Sequence, residues 1–167
     1  MKLIGKGQFT RAYLKDDGRV HLESICPIKE CMALGWFPEH RLFPEIQREG
    51  DNGYDMPYYS QPRSLKTNLT PRQYRLYKAL RALEGFCGPN SHNSFDHWHQ
   101  QFQGLPVEFK VEKEALREAV DACGNYGSDV CFEISPRNVA VKGGKLILLD
   151  CFFMASALKT SYAKDYR

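Results

Sequence analysis

The chain has 167 residues, of which 43% are hydrophobic and 26% charged, and a net charge of +3. That length buries a real core without staples, the composition argues against disorder, and the mild, scattered positive charge gives no reason for a specific nucleic-acid partner. Six cysteines without a Cys-x-x-Cys pair, no leader-like start and no apolar run near the ~20 residues of a spanning helix predict a reduced, cytoplasmic protein with no membrane partner.

Residues 2–22 read as a β-meander that opens on the glycine-rich stretch Ile4-Gly5-Lys6-Gly7-Gln8-Phe9. Asp17-Gly18 predicts a hairpin turn, because both residues tolerate positive φ. Residues 19–25 form the expected third strand. Pro27 suits the first position of a helix over 28–34, which Gly35 can cap. Strands are expected over 42–48 and 54–59, joined by a turn at Gly50 to Gly53, with Pro57 and Pro62 ending the sheet. Thr70-Pro71-Arg72-Gln73 is a capping box, and Tyr74, Tyr77, Leu80 and Leu83 then share one helical face up to Gly85. Residues 86–109 show no assignable pattern. A second helix is predicted over 112–123, with Leu116, Ala119, Val120 and Cys123 on one side and Gly124 after its end. The chain then gives a polar loop, Glu133-Ile-Ser-Pro-Arg-Asn138, and a hairpin over 139–150 turning at Gly143-Gly144 and ending at Asp150.

An acid five residues before an asparagine, with a second acid just past an apolar strand, is a spacing that can hold magnesium and a phosphate. Magnesium prefers hard oxygen ligands and borrows phosphate oxygens. A glycine turn cradles phosphate through its backbone amides, because no side chain intrudes. His92, His97 and His99, with Asp96, form the densest ligand-type cluster. On a strand, His97 and His99 would share a face and could hold zinc; the plainer reading is a packed or solvated insert. Cys131, beside Glu133, reads as a core residue rather than a nucleophile.

In this order of elements the chain resembles the protein-kinase-like fold over residues 3–155. Gly5, Gly7 and Phe9, with Ala12 and Tyr13, look like the glycine-rich loop over ATP phosphates. Glu30 looks like the glutamate of helix C, and Met56-Pro57-Tyr58 sits where the hinge grips adenine. Glu133 to Asn138 looks like the catalytic loop, and Asp150-Cys151-Phe152 like the metal-binding Asp-Phe-Gly. The nearest likeness is to the small early protein kinases of short-tailed phages; Ile-Ser-Pro-Arg-Asn-Val is also similar to aminoglycoside and choline kinases.

The resemblance implies an α+β, shortened two-lobed fold: a five-stranded antiparallel N-lobe with one helix over 1–59, and a small, mostly helical C-lobe over 60–167. It implies ATP and magnesium as cofactors, with Glu133 as catalytic base, Asn138 and Asp150 on the metal, and Gly5, Gly7, Phe9, Glu30, Met56 and Tyr58 around the nucleotide. The implied partner is a host protein, met in the host cytoplasm if the chain is phage-encoded.

Four departures bear on activity. Glu133 replaces an aspartate, and its extra methylene moves the carboxylate by ~1.5 Å. The third strand offers Leu22 or Glu23 where the family has a phosphate-binding lysine, leaving Lys29 or Lys6 as substitutes. Phe152 stands in place of glycine, and the 17 residues after Asp150 are too few for peptide-docking helices. Two functions are therefore expected: a serine/threonine kinase-like phosphotransferase, or a pseudokinase that binds and redirects a host protein.

Overall fold

The computed structural model describes residues 1–85 and 94–159. The first half is a sheet with one helix: β1 (Lys2–Lys6), β2 (Thr10–Leu14), β3 (Val20–Ser24), α1 (Pro27–Ala33), β4 (Gln47–Arg48) and β5 (Gly53–Met56). The strands form one antiparallel sheet in the order β1-β2-β3-β5-β4. Along β3 the pleat sends Val20, Leu22 and Ser24 into the interior, and His21 and Glu23 the other way. The β2–β3 turn has Gly18 at φ +80°, as the Asp-Gly pair predicts.

The strand expected over 42–48 shrinks to Gln47–Arg48. Pro44 has no N–H to give a ladder. The stretch before it buries Leu42 and Phe43 instead, and Leu42 O accepts a hydrogen bond from Leu148 N at 2.7 Å. The strand expected over 54–59 likewise stops at Met56, before Pro57. Helix α1 closes as predicted: Gly35, at φ +76°, donates to Met32 O at 3.0 Å, and Trp36 N donates to Cys31 O at 3.1 Å. This pair of bonds satisfies carbonyls that the last turn leaves open.

The second half contains α2 (Leu65–Asn68), α3 (Pro71–Arg81), α4 (Ser94–Gln103), α5 (Lys110–Cys123), β6 (Val130–Phe132), β7 (Val139–Lys142), β8 (Lys145–Leu148) and β9 (Phe152–Met154). Thr70 caps α3 by accepting from Gln73 N at 3.3 Å. The other half of the expected capping box is replaced by tertiary bonds: Gln73 Oε1 accepts from Leu146 N at 3.0 Å, and Thr70 N donates to Gly144 O at 2.9 Å. The start of α3 is thereby tied to the β7–β8 hairpin.

Helix α4 lies within the segment that has no readable pattern. Trp98 and Phe102, one turn apart, are its buried stripe. His97 and His99 are therefore about 200° apart around a helix axis rather than on one strand face. His97 Nε2 lies 2.7 Å from Glu84 O, and His99 Nε2 lies 2.9 Å from Asp121 Oδ1. The zinc reading fails on that geometry, and no group of three metal-binding side chains occurs among the described residues; His92 lies outside them.

Phe152 is the hub of the aromatic core, with ring centroids 5.0 Å from Phe132, 5.8 Å from Phe37, 6.0 Å from Phe102 and 6.3 Å from Phe43. That packing accounts for a phenylalanine where the resembled motif has glycine. The described cysteines, Cys26, Cys31, Cys123, Cys131 and Cys151, are all buried. Burial pushes the Cys31 thiol up to about 12, so it is inert at neutral pH. Cys87 lies outside the described residues. No helix among those described is long and apolar enough to cross a membrane.

Candidate functional site

Strand pairing fixes the polar loop before any side chain is considered. β6 and β9 run antiparallel with Phe132 opposite Phe152, so Glu133 N donates to Cys151 O at 2.9 Å. Between them the β7–β8 hairpin pairs Val139 with Leu148. Asn138 is thus carried alongside Leu149 and Asp150, whose amides both donate to Asn138 O, at 2.9 and 3.3 Å. The spacing from Asn138 to Asp150 follows from a two-strand hairpin that turns on two glycines at positive φ, Gly143 and Gly144.

The Asn138 side chain then locks this corner. Its Nδ2 donates to Glu133 O at 3.0 Å and to Asp150 O at 3.4 Å. Its Oδ1 accepts from Ser135 N at 2.7 Å and lies 2.9 Å from Ser135 Oγ. Asn138 is therefore the clamp that holds Glu133 and Asp150 in one place, and its carbonyl oxygen is committed to Ser135.

The glycine turn closes on the same corner. Gly7 N donates to Thr10 O at 2.8 Å, making a tight turn, and Ile25 N donates to Phe9 O at 3.1 Å. Phe9 reaches across to Phe153, with ring centroids 5.2 Å apart. A Cβ placed on Gly7 would lie 4.0 Å from Asp150 Oδ2. Gly5 is one step back in β1, opposite Ala12 and next to a bulge. Two features from opposite ends of the sequence thus face one another.

Behind Asp150 stands Lys29. Its Nζ lies 2.8 Å from Asp150 Oδ1 and donates to Leu149 O at 2.6 Å. The lysine side chain is 2% exposed and the aspartate 29%. At 2.8 Å the two charges touch, but the approach is not that of an aligned hydrogen bond. Oδ1 is buried with no hydrogen-bond donor. Lys29 shares the inward arc of α1 with Ile28 and Met32, and a lone cation among those apolar positions is the sequence cue to it.

The other expected residues are spread around this corner. Glu133 is exposed and borders a hollow of about 180 Å³ whose wall includes Arg81, Trp98 and Ile134. Glu30 meets Arg48 of β4 at 3.2 Å. Glu23 lies on the far face of β3, where Tyr13 Oη donates to its carboxylate at 3.2 Å. Met56 is buried at the end of β5, and Tyr58 is 57% exposed. The segment after Met56 is pinned to the hairpin by Val141 N donating to Ser60 O at 2.8 Å and by Gln61 Nε2 donating to Arg137 O and Val139 O at 2.7 and 3.1 Å. A groove of about 560 Å³ borders the glycine turn, with Lys6, Arg11 and Glu23 among its walls.

The residues present suit a magnesium nucleotide in part. Asp150 turns Oδ2 toward the glycine turn, which suits a cation held by one carboxylate and phosphate oxygens, while its buried Oδ1 already faces the Lys29 ammonium at 2.8 Å. Asn138, as it stands, does not offer its oxygen. No family model matches the chain, and no curated protein matches it at a significant level.

Proposed function

We propose that the chain is a small, two-lobed, kinase-like protein that binds magnesium ATP at the Gly7–Asp150 corner and phosphorylates a host protein, in the manner of phage takeover proteins. The single observation that supports this reading is the meeting of Gly7, Asp150 and Lys29, three residues brought together from the turn after β1, the entry to β9 and α1. A glycine turn beside a carboxylate and a desolvated cation is the electrostatic arrangement that phosphoryl transfer needs, since its catalysis is mostly positioning and charge stabilisation.

When bound, magnesium ATP supplies the phosphoryl group. Asp150 would hold the cation of the ligand, and the turn from Gly7 to Thr10 would lie against its phosphates. Glu133, exposed beside the corner, takes the proton from an acceptor hydroxyl. Its backbone position is fixed by Asn138 on one side and Cys151 on the other. A base misplaced by about 1 Å loses on the order of 10²-fold in rate, so a slow enzyme is expected.

The second reading is a pseudokinase that binds a host protein without transfer. The commitment of Asn138 Oδ1 to Ser135 favours it, because that oxygen is then withheld from a metal. Transfer of labelled phosphate from γ-labelled ATP to the chain itself or to a host extract separates the two. Phosphotransfer that disappears in Glu133→Gln supports the enzyme. Nucleotide binding without any transfer supports the pseudokinase.

A further inference from the structure

We infer that Lys29, carried by α1, is the residue that meets the nucleotide's phosphates, and that its pair with Asp150 parts only for a ligand bearing both a cation and an anion. The inference rests on the nucleotide reading above. Strand β3 has no cation to offer: Val20, Leu22 and Ser24 face the interior, His21 is 2.8 Å from Glu49, and Glu23 is held by Tyr13. Lys6 and Arg11 are exposed at the rim of the open groove. Lys29 alone among the described lysines is buried, and it stands directly behind the carboxylate that faces Gly7. An ammonium has three donors. Here one goes to Leu149 O and the charge goes to Asp150, and no further acceptor is found among the described residues.

Charge balance decides which ligand can enter. A bare phosphate competing for Lys29 would strand the Asp150 carboxylate beside a second anion. A bare cation competing for Asp150 would strand a buried ammonium. Either outcome leaves an uncompensated charge in a desolvated place, which is expensive. Magnesium with a polyphosphate compensates both at once, magnesium on Asp150 and phosphate on Lys29. Metal and polyphosphate therefore bind together and each only weakly alone.

The test uses the wild-type chain and an acyl-phosphate derivative of ATP. A lysine at the phosphates attacks the acyl carbon; a C–N bond forms, the C–O bond to phosphate breaks, ATP leaves and the amine loses its proton. Peptide mass spectrometry then finds the acylated lysine. The expected result is label on Lys29, suppressed by excess magnesium ATP and far less by ATP with chelator. In parallel, magnesium tripolyphosphate raises the thermal midpoint of the wild type and of Lys6→Ala. Lys29→Met binds it about ten- to a hundredfold more weakly, the worth of one charge-assisted hydrogen bond. Competable label on Lys6 with Lys29 unmodified would overturn the inference and leave the nucleotide reading standing. So would equal binding of tripolyphosphate with and without magnesium. Absence of any competable label, together with no midpoint shift by magnesium ATP, would overturn both.

Discussion

Lys29 Nζ and Asp150 Oδ1 lie 2.8 Å apart, joining the first helix to the entry of the last strand, with the lysine almost wholly buried and the aspartate open on one side. This unequal burial makes the two partners unequal in mutation. Asp150→Ala leaves an ammonium with nowhere to go and is expected to cost about 3–5 kcal/mol. Lys29→Met leaves a carboxylate that water can still reach, and about 1–2 kcal/mol is expected, less than for a fully buried partner. Urea unfolding of both variants measures the order; a larger loss for Lys29→Met would contradict this account of the pair.

Asn138 gives a second asymmetry. Its amide bonds Ser135, Glu133 and Asp150 at once. Asn138→Ala orphans the Ser135 amide and two carbonyls and is expected to cost about 2 kcal/mol in a denaturant titration without any ligand. A residue serving only as a metal ligand would show no such loss in the absence of metal.

The hairpin that sets Asn138 beside Asp150 was legible in the sequence, because the Gly143-Gly144 turn and the alternation of Val139 to Lys142 fix its register. The helix α5 and the cap of α3 were legible for the same local reasons. The pairing of β6 with β9 was not. Those strands are three residues each, their side chains are buried on both faces, and they are joined only through the intervening hairpin. Helix α4 was hidden by a run of polar and aromatic residues whose stripe, Trp98 and Phe102, has too few members to read as a period. Lys29 and Lys6 are equal candidates on sequence alone; that Lys29 meets Asp150 depends on which way α1 faces, and that is a tertiary fact.

Two glycines should respond oppositely to alanine. A Cβ at Gly85 would collide with Cη2 and Cζ2 of the buried Trp98 ring. Gly85→Ala is expected to lose about 1–3 kcal/mol by overpacking. A Cβ at Gly7 would meet only ordinary contacts, 3.5 Å to Thr10 O and 4.0 Å to Asp150 Oδ2. Gly7→Ala should unfold at the wild-type midpoint yet bind magnesium ATP more weakly, since the added methyl narrows the approach to Asp150. Thermal denaturation with and without nucleotide reads both effects.

Acid stability should follow the carboxylates. Burial raises the Glu112 carboxyl, but the Arg72 guanidinium, bonded to both of its oxygens, outweighs this and holds it below the usual range. At Asp55, burial is likewise outweighed by Arg19 and Lys15. A lowered folded value means stability that is full above the unfolded value of about 4 and lost as pH falls through the folded one. Burial also lowers the His40 imidazole, so the urea midpoint should begin to decline as pH drops below about 6.5 and fall further below about pH 4 as the carboxylates protonate. Arg72→Met removes the main group that holds Glu112 down and leaves burial opposed only by the residue's own backbone amide and the charge of His40. It should cost about 2–3 kcal/mol at pH 7, and the loss should shrink as pH drops toward 5, the reverse of the wild-type slope. An unchanged pH profile in Arg72→Met would contradict the pairing.

The most direct test is calorimetric titration of magnesium ATP into the wild type and into the double variant Lys29→Met with Asp150→Leu. Replacing both members of a buried ion pair by apolar groups is commonly neutral or stabilising, so the double variant should stay folded while both charges beside Gly7 are gone. A saturable single-site heat in the wild type and none in the folded double variant is the predicted result. Equal binding by both proteins, or no binding by the wild type at millimolar nucleotide, would contradict the claim that Gly7, Lys29 and Asp150 form a nucleotide site.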